Sequence, residues 1–277
     1  ASWSTLTLPD PPFFDKAWKV IEQYLGPECK FTLVEFGLEV QELQMHLKNL
    51  RDDIKAKLAE NEEPCRANSA DLSHMMHNWL LIIQYSNKIM VEFAERLMKT
   101  ATFMLKTTPP CSFVAVAIGS LGRGEATPYS DLEYLFLIED SSHKEYFKRL
   151  AVTSYFVIGS LGETRLQSID IEELKGWFVD GRPAGFQIDG ITKSSGNIPT
   201  GNSNAPDQFI ATPDELLSVY EQALVEPSQE ESIRGDVTSM LRFTTSIFSY
   251  NGGEQLLKRF TTMRNHLDSN VNQKRTK

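Results

Sequence analysis

Cysteine is scarce in this 277-residue chain: Cys29, Cys65 and Cys111 stand far apart, with no CxxC pair. That spacing argues against a disulfide framework or a structural zinc site, and the expectation is free thiols in a reducing compartment. Long apolar runs are also missing. No stretch reaches the eighteen or more residues of a membrane span, and the opening ASWSTLTLPD has neither the basic nor the apolar region of a signal peptide. A soluble, intracellular, cytoplasmic protein without a membrane partner is expected. Positive charge is short as well, with 28 Lys and Arg against 37 Asp and Glu and a formal net charge of -9. This disfavours a broad nucleic-acid surface, although it leaves room for a local basic pocket. The missing initiator Met and the abruptly basic end VNQKRTK point to a segment of a longer chain.

What is present divides into three stretches. In residues 1–108, Leu33, Phe36, Leu38, Val40, Leu43, Leu47, Leu50, Ile54 and Leu58 recur mostly at three- and four-residue steps, which predicts a helix over about Phe31 to Ala59. Glu60 to Pro64 should break it, and a second long helix should run from about Ala70 to Lys106. Its apolar cluster of Met75, Met76, Trp79, Leu80, Ile83 and Tyr85 reads as helix core. Pro109-Pro110 ends the helical region.

Residues 109–227 alternate. Phe113 to Ile118 is a β-prone apolar run, and Leu132 to Ile138 is another, with Asp131 and Glu133 at its start. Ser141-Ser142 offers a cap for a helix over about His143 to Gly159, whose end falls at Gly159-Ser160-Leu161-Gly162. From Glu163 to Thr212 strands and loops should dominate, including Gly185 to Asp189. Thr212 then caps a helix with Pro213 first and acids in its first turn. Residues 228–277 read as C-terminal helices, broken at Asn251-Gly252-Gly253 and frayed after Asp268. The whole predicts an α+β fold, a small mixed β-sheet flanked by long N-terminal helices and a C-terminal helical segment.

One segment carries chemistry: Ile118-Gly119-Ser120-Leu121-Gly122-Arg123-Gly124-Glu125, followed by Ser130-Asp131-Leu132-Glu133. Glycines at 119, 122 and 124 would let backbone approach a phosphate, with amides, the Ser120 hydroxyl and the forked Arg123 guanidinium as donors. Asp131 and Glu133, two apart on a strand, would share a face and could share one divalent cation. An isolated Asp-x-Glu is usually a solvated feature, but a Gly-Ser turn upstream changes that balance. Glu125 is expected to brace the loop against Arg123. His74 and His77, without an HExxH partner pattern, are expected to be structural.

With ten residues between Ser120 and Asp131, the segment resembles the signature of the DNA polymerase β-like nucleotidyltransferase superfamily. The longer pattern, Gly119-Ser120-x-Gly122-Arg123-x-Glu125 and then Ser130-Asp131, resembles the subgroup of PII-protein uridylyltransferases, glutamine-synthetase adenylyltransferases and DUF294-type nucleotidyltransferases. The resemblance implies Asp131, Glu133 and a third carboxylate as catalytic metal ligands, with Mg2+ or Mn2+ as the cofactor. Ile188-Asp189 with Lys193 and Gly196 matches the third-acid pattern, so Asp189 is the implied third ligand. Gly119, Ser120, Arg123, Ser130 and Lys193 would then bind the nucleotide.

The implied reaction moves a nucleoside monophosphate from a nucleoside triphosphate to a hydroxyl on a protein or small molecule. Two departures stand out: Lys193-Ser194 replaces the usual Arg-Pro, and Glu133 stands where close relatives carry Asp. They keep open an alternative, a non-catalytic nucleotide-sensing or protein-docking module of a larger protein.

Overall fold

The computed structural model describes residues 32–67, 72–130, 132–161, 201–202, 205–206, 209–225, 238 and 240–275. Two long helices come first, α1 over Leu33–Ala67 and α2 over Leu72–Met104. A capping box opens α1: the Glu35 carboxylate accepts the Thr32 N–H, and the Thr32 hydroxyl accepts the Glu35 N–H. The expected break at Glu60 to Pro64 is not where α1 stops. It continues to Ala67, since Glu60, Glu62 and Glu63 favour helix and a proline in the final turn removes only one donor close to where the ladder ends.

Strand β1 (Phe113–Ala117) follows, then a single helical turn α3 (Gly119–Arg123), strand β2 (Tyr134–Ile138) and helix α4 (Lys144–Ser160). The entry to α4 passes through a 3-10 turn over Ser141–His143. Its cap is Asp140 rather than Ser141 or Ser142, because the Asp140 carboxylate accepts the Ser142 N–H at 2.8 Å. That bond holds the Asp140 carboxyl below its ordinary value. α4 ends at Ser160, at the predicted Gly-Ser-Leu-Gly stop.

The short strands β3 (Gly201–Asn202), β4 (Ala205–Pro206) and β5 (Ile210–Ala211) lead to helix α5 (Pro213–Val225). Thr212 caps α5 as expected, and it does so reciprocally with Glu215. Strand β6 (Thr245–Tyr250) and helix α6 (Glu254–Arg275) complete the described chain.

β6 corrects the reading of residues 245–250 as helix. Thr, Ile, Phe and Tyr favour strand, and β6 lies at a sheet edge where only Ile247 is fully buried, so it shows neither a helical stripe nor a clean alternation. Asn251-Gly252-Gly253 is accordingly a turn from β6 into α6 and not a break within a helix. α6 itself holds its helix to Arg275, past the expected fraying at Asp268.

The main sheet has four strands in the order β5-β2-β1-β6. β1 pairs antiparallel with both β2 and β6, and β2 pairs parallel with β5. Every residue of β1 and β2 is buried, because helices cover both faces. Alternation assigns the faces. Phe113, Ala115, Ala117, Tyr134, Phe136 and Ile138 join the core built with α1, α2 and α4, whereas Val114, Val116, Leu135 and Leu137 join the one built with α5 and α6.

α2 is divided in its burial. From Met90 to Met104 most of its apolar residues, among them Phe93, Leu97 and Met98, enter the sheet core, while Phe103 is exposed. Nearer its start, Met76 is 62% and Trp79 48% exposed, and Leu80 and Ile83 are exposed too, so these are not core as the sequence suggested. At that end α2 packs along α1, and Ile82 and Ile54 are the hydrophobics buried there. The Tyr85 hydroxyl hydrogen-bonded to Asp53 marks the same pairing.

Candidate functional site

Antiparallel pairing brings the end of β1 beside the start of β2. Ala117 faces Tyr134, and one step on the Ile118 N–H donates to the Glu133 carbonyl at 3.0 Å. Glu133 therefore precedes β2 but extends its ladder, and the chain is delivered straight into the Gly119-Ser120 turn. The two halves of the sequence motif meet here. A Cβ built on Gly119 would lie 1.3 Å from Glu133 Oε2, so the half-buried Glu133 carboxylate rests directly against the glycine. Gly119 also has φ +60°, a left-handed conformation that side-chain-bearing residues rarely adopt. The left-handed backbone therefore calls for glycine at 119, whereas the Glu133 carboxylate, at the end of a flexible side chain, could swing aside from a methyl group there.

After Gly119 the chain makes the five-residue turn α3 and closes on itself. The Gly122 N–H donates to the Ile118 carbonyl, the Glu125 N–H to the Ser120 carbonyl, and Gly124, at φ 81°, caps the turn. Gly122 serves a packing need that the sequence reading assigned to phosphate: a Cβ there would lie 2.5 Å from the Phe243 carbonyl oxygen, in the segment leading to β6. The Thr245 hydroxyl donates to the Gly122 carbonyl from the same side. Arg123 pairs with Glu125 at 2.8 Å, as expected for a loop brace, and both side chains are substantially exposed. Ser120 is half-buried.

Between Gly124 and the acids lies a second turn. The Ser130 N–H donates to the Thr127 carbonyl and the Thr127 N–H to the Ser130 hydroxyl, both at 2.9 Å, so the Ser130 side chain helps close this turn. The anchors that hold it come from the long helices and had no local signal in the sequence. From α2, buried Ser86 donates to the Ala126 carbonyl at 2.9 Å, and Asn87 accepts the Ala126 N–H at 3.1 Å. From α1, Arg51 donates to the Pro128 carbonyl at 3.2 Å through Nε and 3.0 Å through Nη2, and its Cζ lies over the Tyr129 ring, 4.4 Å from the centre.

The structure therefore brings together Gly119, Ser120 and Glu133, and places Arg123 and Ser130 on the two adjoining turns. Asp131, Asp189 and Lys193 lie outside the described residues. Among the described residues no three His, Cys, Asp or Glu side chains group as a metal site, and His77 is exposed on α2. Glu133 offers the hard carboxylate oxygen that Mg2+ or Mn2+ takes, held against the Gly-Ser turn, so the donor present fits such an ion. None of the described helices is long and apolar enough to cross a membrane.

No curated protein matches the chain in a sequence comparison. Residues 68–162 match the model of a family described as "Putative nucleotidyltransferase DUF294", a span that contains α2, both turns, Glu133 and α4. Over that span the chain is similar to a nucleotidyltransferase family, and the segment matched is the one in which Glu133 closes onto Gly119.

Proposed function

We propose that the chain is a nucleotidyltransferase that moves a nucleoside monophosphate from a nucleoside triphosphate to a hydroxyl of a protein or small molecule. The observation that carries this reading is the contact of the Glu133 carboxylate with Gly119, which joins a candidate metal ligand to a candidate phosphate turn. Asp131 and Glu133 would hold Mg2+ or Mn2+, and Asp189 would complete the set. When bound, such an ion neutralises charge on the phosphoryl oxygens. Asp189 takes the proton of the acceptor hydroxyl. The freed oxygen bonds to the α-phosphorus as the bond to the β-phosphate oxygen breaks, and pyrophosphate leaves.

The remaining roles follow from donor chemistry. Ser120 and the backbone around Gly119 hydrogen-bond phosphate oxygens, and Arg123 turns from Glu125 to the triphosphate, where a doubly forked donor gains more than in an exposed pair. Ser130 keeps its turn closed beside them, and Lys193 supplies a further positive charge. A uridylyltransferase-like protein acceptor agrees with the longer motif, and the acidic composition gives no support to a polynucleotide one.

A second reading rests on Glu133 itself. Its side chain is one methylene longer than Asp, which displaces the carboxylate by about 1 Å, enough to weaken a catalytic geometry while leaving a domain that senses a nucleotide without turning it over. Calorimetric titration of the magnesium complexes of ATP, UTP, GTP and CTP into the wild type and an Asp131→Ala, Glu133→Ala double variant tests the proposal. Metal-dependent binding that the double variant loses supports it, and no binding of any triphosphate removes it. Pyrophosphate release in the presence of acceptor separates enzyme from sensor.

A further inference from the structure

Arg51 lies 77 residues before Pro128, yet its guanidinium reaches the turn that leads into the acid pair. Two of its donors, Nε and Nη2, converge on one acceptor, the Pro128 carbonyl, while the charged centre of the group sits over the Tyr129 ring. A lysine could donate to the same oxygen, but it has no plane to stack and no fork. Pro128 is buried, and its ring restricts the backbone beside the carbonyl that Arg51 engages.

On the opposite side, Ser86 and Asn87 of α2 take the carbonyl and the N–H of Ala126. The stretch from Ala126 to Ser130 is therefore gripped by the two helices, at Ala126 by α2 and at Pro128 and Tyr129 by α1. It also closes through three hydrogen bonds of its own between Thr127 and Ser130.

We infer that Arg51 is a positioning residue for the candidate site: from α1 it sets where the Thr127–Ser130 turn lies relative to Glu133, and thereby the affinity for a metal–triphosphate. The inference rests on the function proposed above. It adds that the helical hairpin is part of the site's construction, so any partner that shifts α1 against α2 alters that affinity. Arg51 need not touch the nucleotide for this, because displacing a binding group by about 1 Å costs up to two orders of magnitude in a site that depends on geometry.

The test uses the full chain with Arg51→Ala, Arg51→Lys and Tyr129→Ala, the last at an exposed ring whose loss spares the fold. Two quantities are read: hydrogen exchange at the Ala126, Thr127 and Ser130 amides without ligand, and the dissociation constant of magnesium–ATP, with the other triphosphates alongside. Exchange should be about tenfold faster and binding about tenfold or more weaker in Arg51→Ala, as expected when two charge-assisted hydrogen bonds and a cation–π contact go. Arg51→Lys should recover part of both. The Arg51→Ala, Tyr129→Ala double variant should lose less than the sum of its parts.

Unchanged exchange at these amides in Arg51→Ala overturns the inference. So does faster exchange with unaltered affinity, or equal loss in the lysine and alanine variants. If the wild type binds no triphosphate, the functional reading falls with the claimed effect on affinity, and the exchange data alone decide whether Arg51 holds the turn.

Discussion

The two turns on either side of the candidate site are held by opposite means. Gly119 to Gly124 is shaped chiefly by its own backbone, through a left-handed glycine at each end and hydrogen bonds spanning four and five residues, while its contacts with Phe243 and Thr245 fall on Gly122. Ala126 to Ser130 takes its place from Arg51, Ser86 and Asn87 on helices remote in sequence. A locally encoded turn resists changes in the rest of the molecule, whereas one gripped from outside follows the elements that grip it. If the first turn holds phosphate and the second leads into the metal ligands, the latter half is the one open to adjustment.

The comparison predicts a graded set of effects. Gly119→Ala should be the most damaging change, because it puts alanine in a left-handed backbone and pushes the Glu133 carboxylate off the turn. A stability loss of about 2–3 kcal/mol, nearly all of it from the backbone, is expected in urea unfolding. A loss no larger than that of any side chain gripping the second turn would break the distinction. Gly122→Ala forces a methyl against the Phe243 carbonyl and should cost about 2 kcal/mol in the same assay, unless the approach to β6 can widen.

Ser86→Ala strips the buried Ala126 carbonyl of its donor and should cost about 1–2 kcal/mol. Faster exchange in the second turn, with the first unchanged, would sharpen the contrast. Removing the exposed Arg123–Glu125 pair should change stability by less than about 1 kcal/mol, measured by a double-mutant cycle.

The Thr212–Glu215 capping box is another locally encoded element and yields the smallest effect. Burial raises the Glu215 carboxyl, but the Thr212 N–H and Lys144 outweigh it and hold it below the ordinary carboxylate value. A lowered folded value means the stabilisation is present above the unfolded pKa and disappears as pH falls through the folded one. The stability gap between wild type and Glu215→Gln should therefore be full near neutrality and close in acid below the ordinary carboxylate range. A gap independent of pH would assign the effect to packing.

The same division explains what could be read from the sequence. The α+β class, the β1 strand, the Gly119 turn, the Arg123–Glu125 brace and the Thr212 cap are written in neighbouring residues, and all were legible. β6 was not, because an edge strand with one fully buried residue carries little of the alternation that marks strands. The exposure of Met76, Trp79 and Leu80 was hidden too, since an apolar helix stripe says that something should cover it but not what does. Arg51, Ser86 and Asn87 look like ordinary polar positions on long helices, and only the folded contact gives them a role. Within the site, the proximity of Glu133 to Gly119 could be inferred from motif spacing, whereas the reason for Gly122 lay in residue 243.

The central claim is that Glu133, resting on the Gly119-Ser120 turn, helps hold a metal ion that accompanies a triphosphate. Electron paramagnetic resonance of Mn2+ tests it most directly, by titrating the ion into wild type and Glu133→Gln with a non-hydrolysable triphosphate present. The account predicts protein-bound Mn2+ in the wild type that requires the triphosphate, and affinity at least about tenfold weaker in Glu133→Gln as one charged ligand is lost. Equal uptake by the two proteins, or none by either, would contradict it.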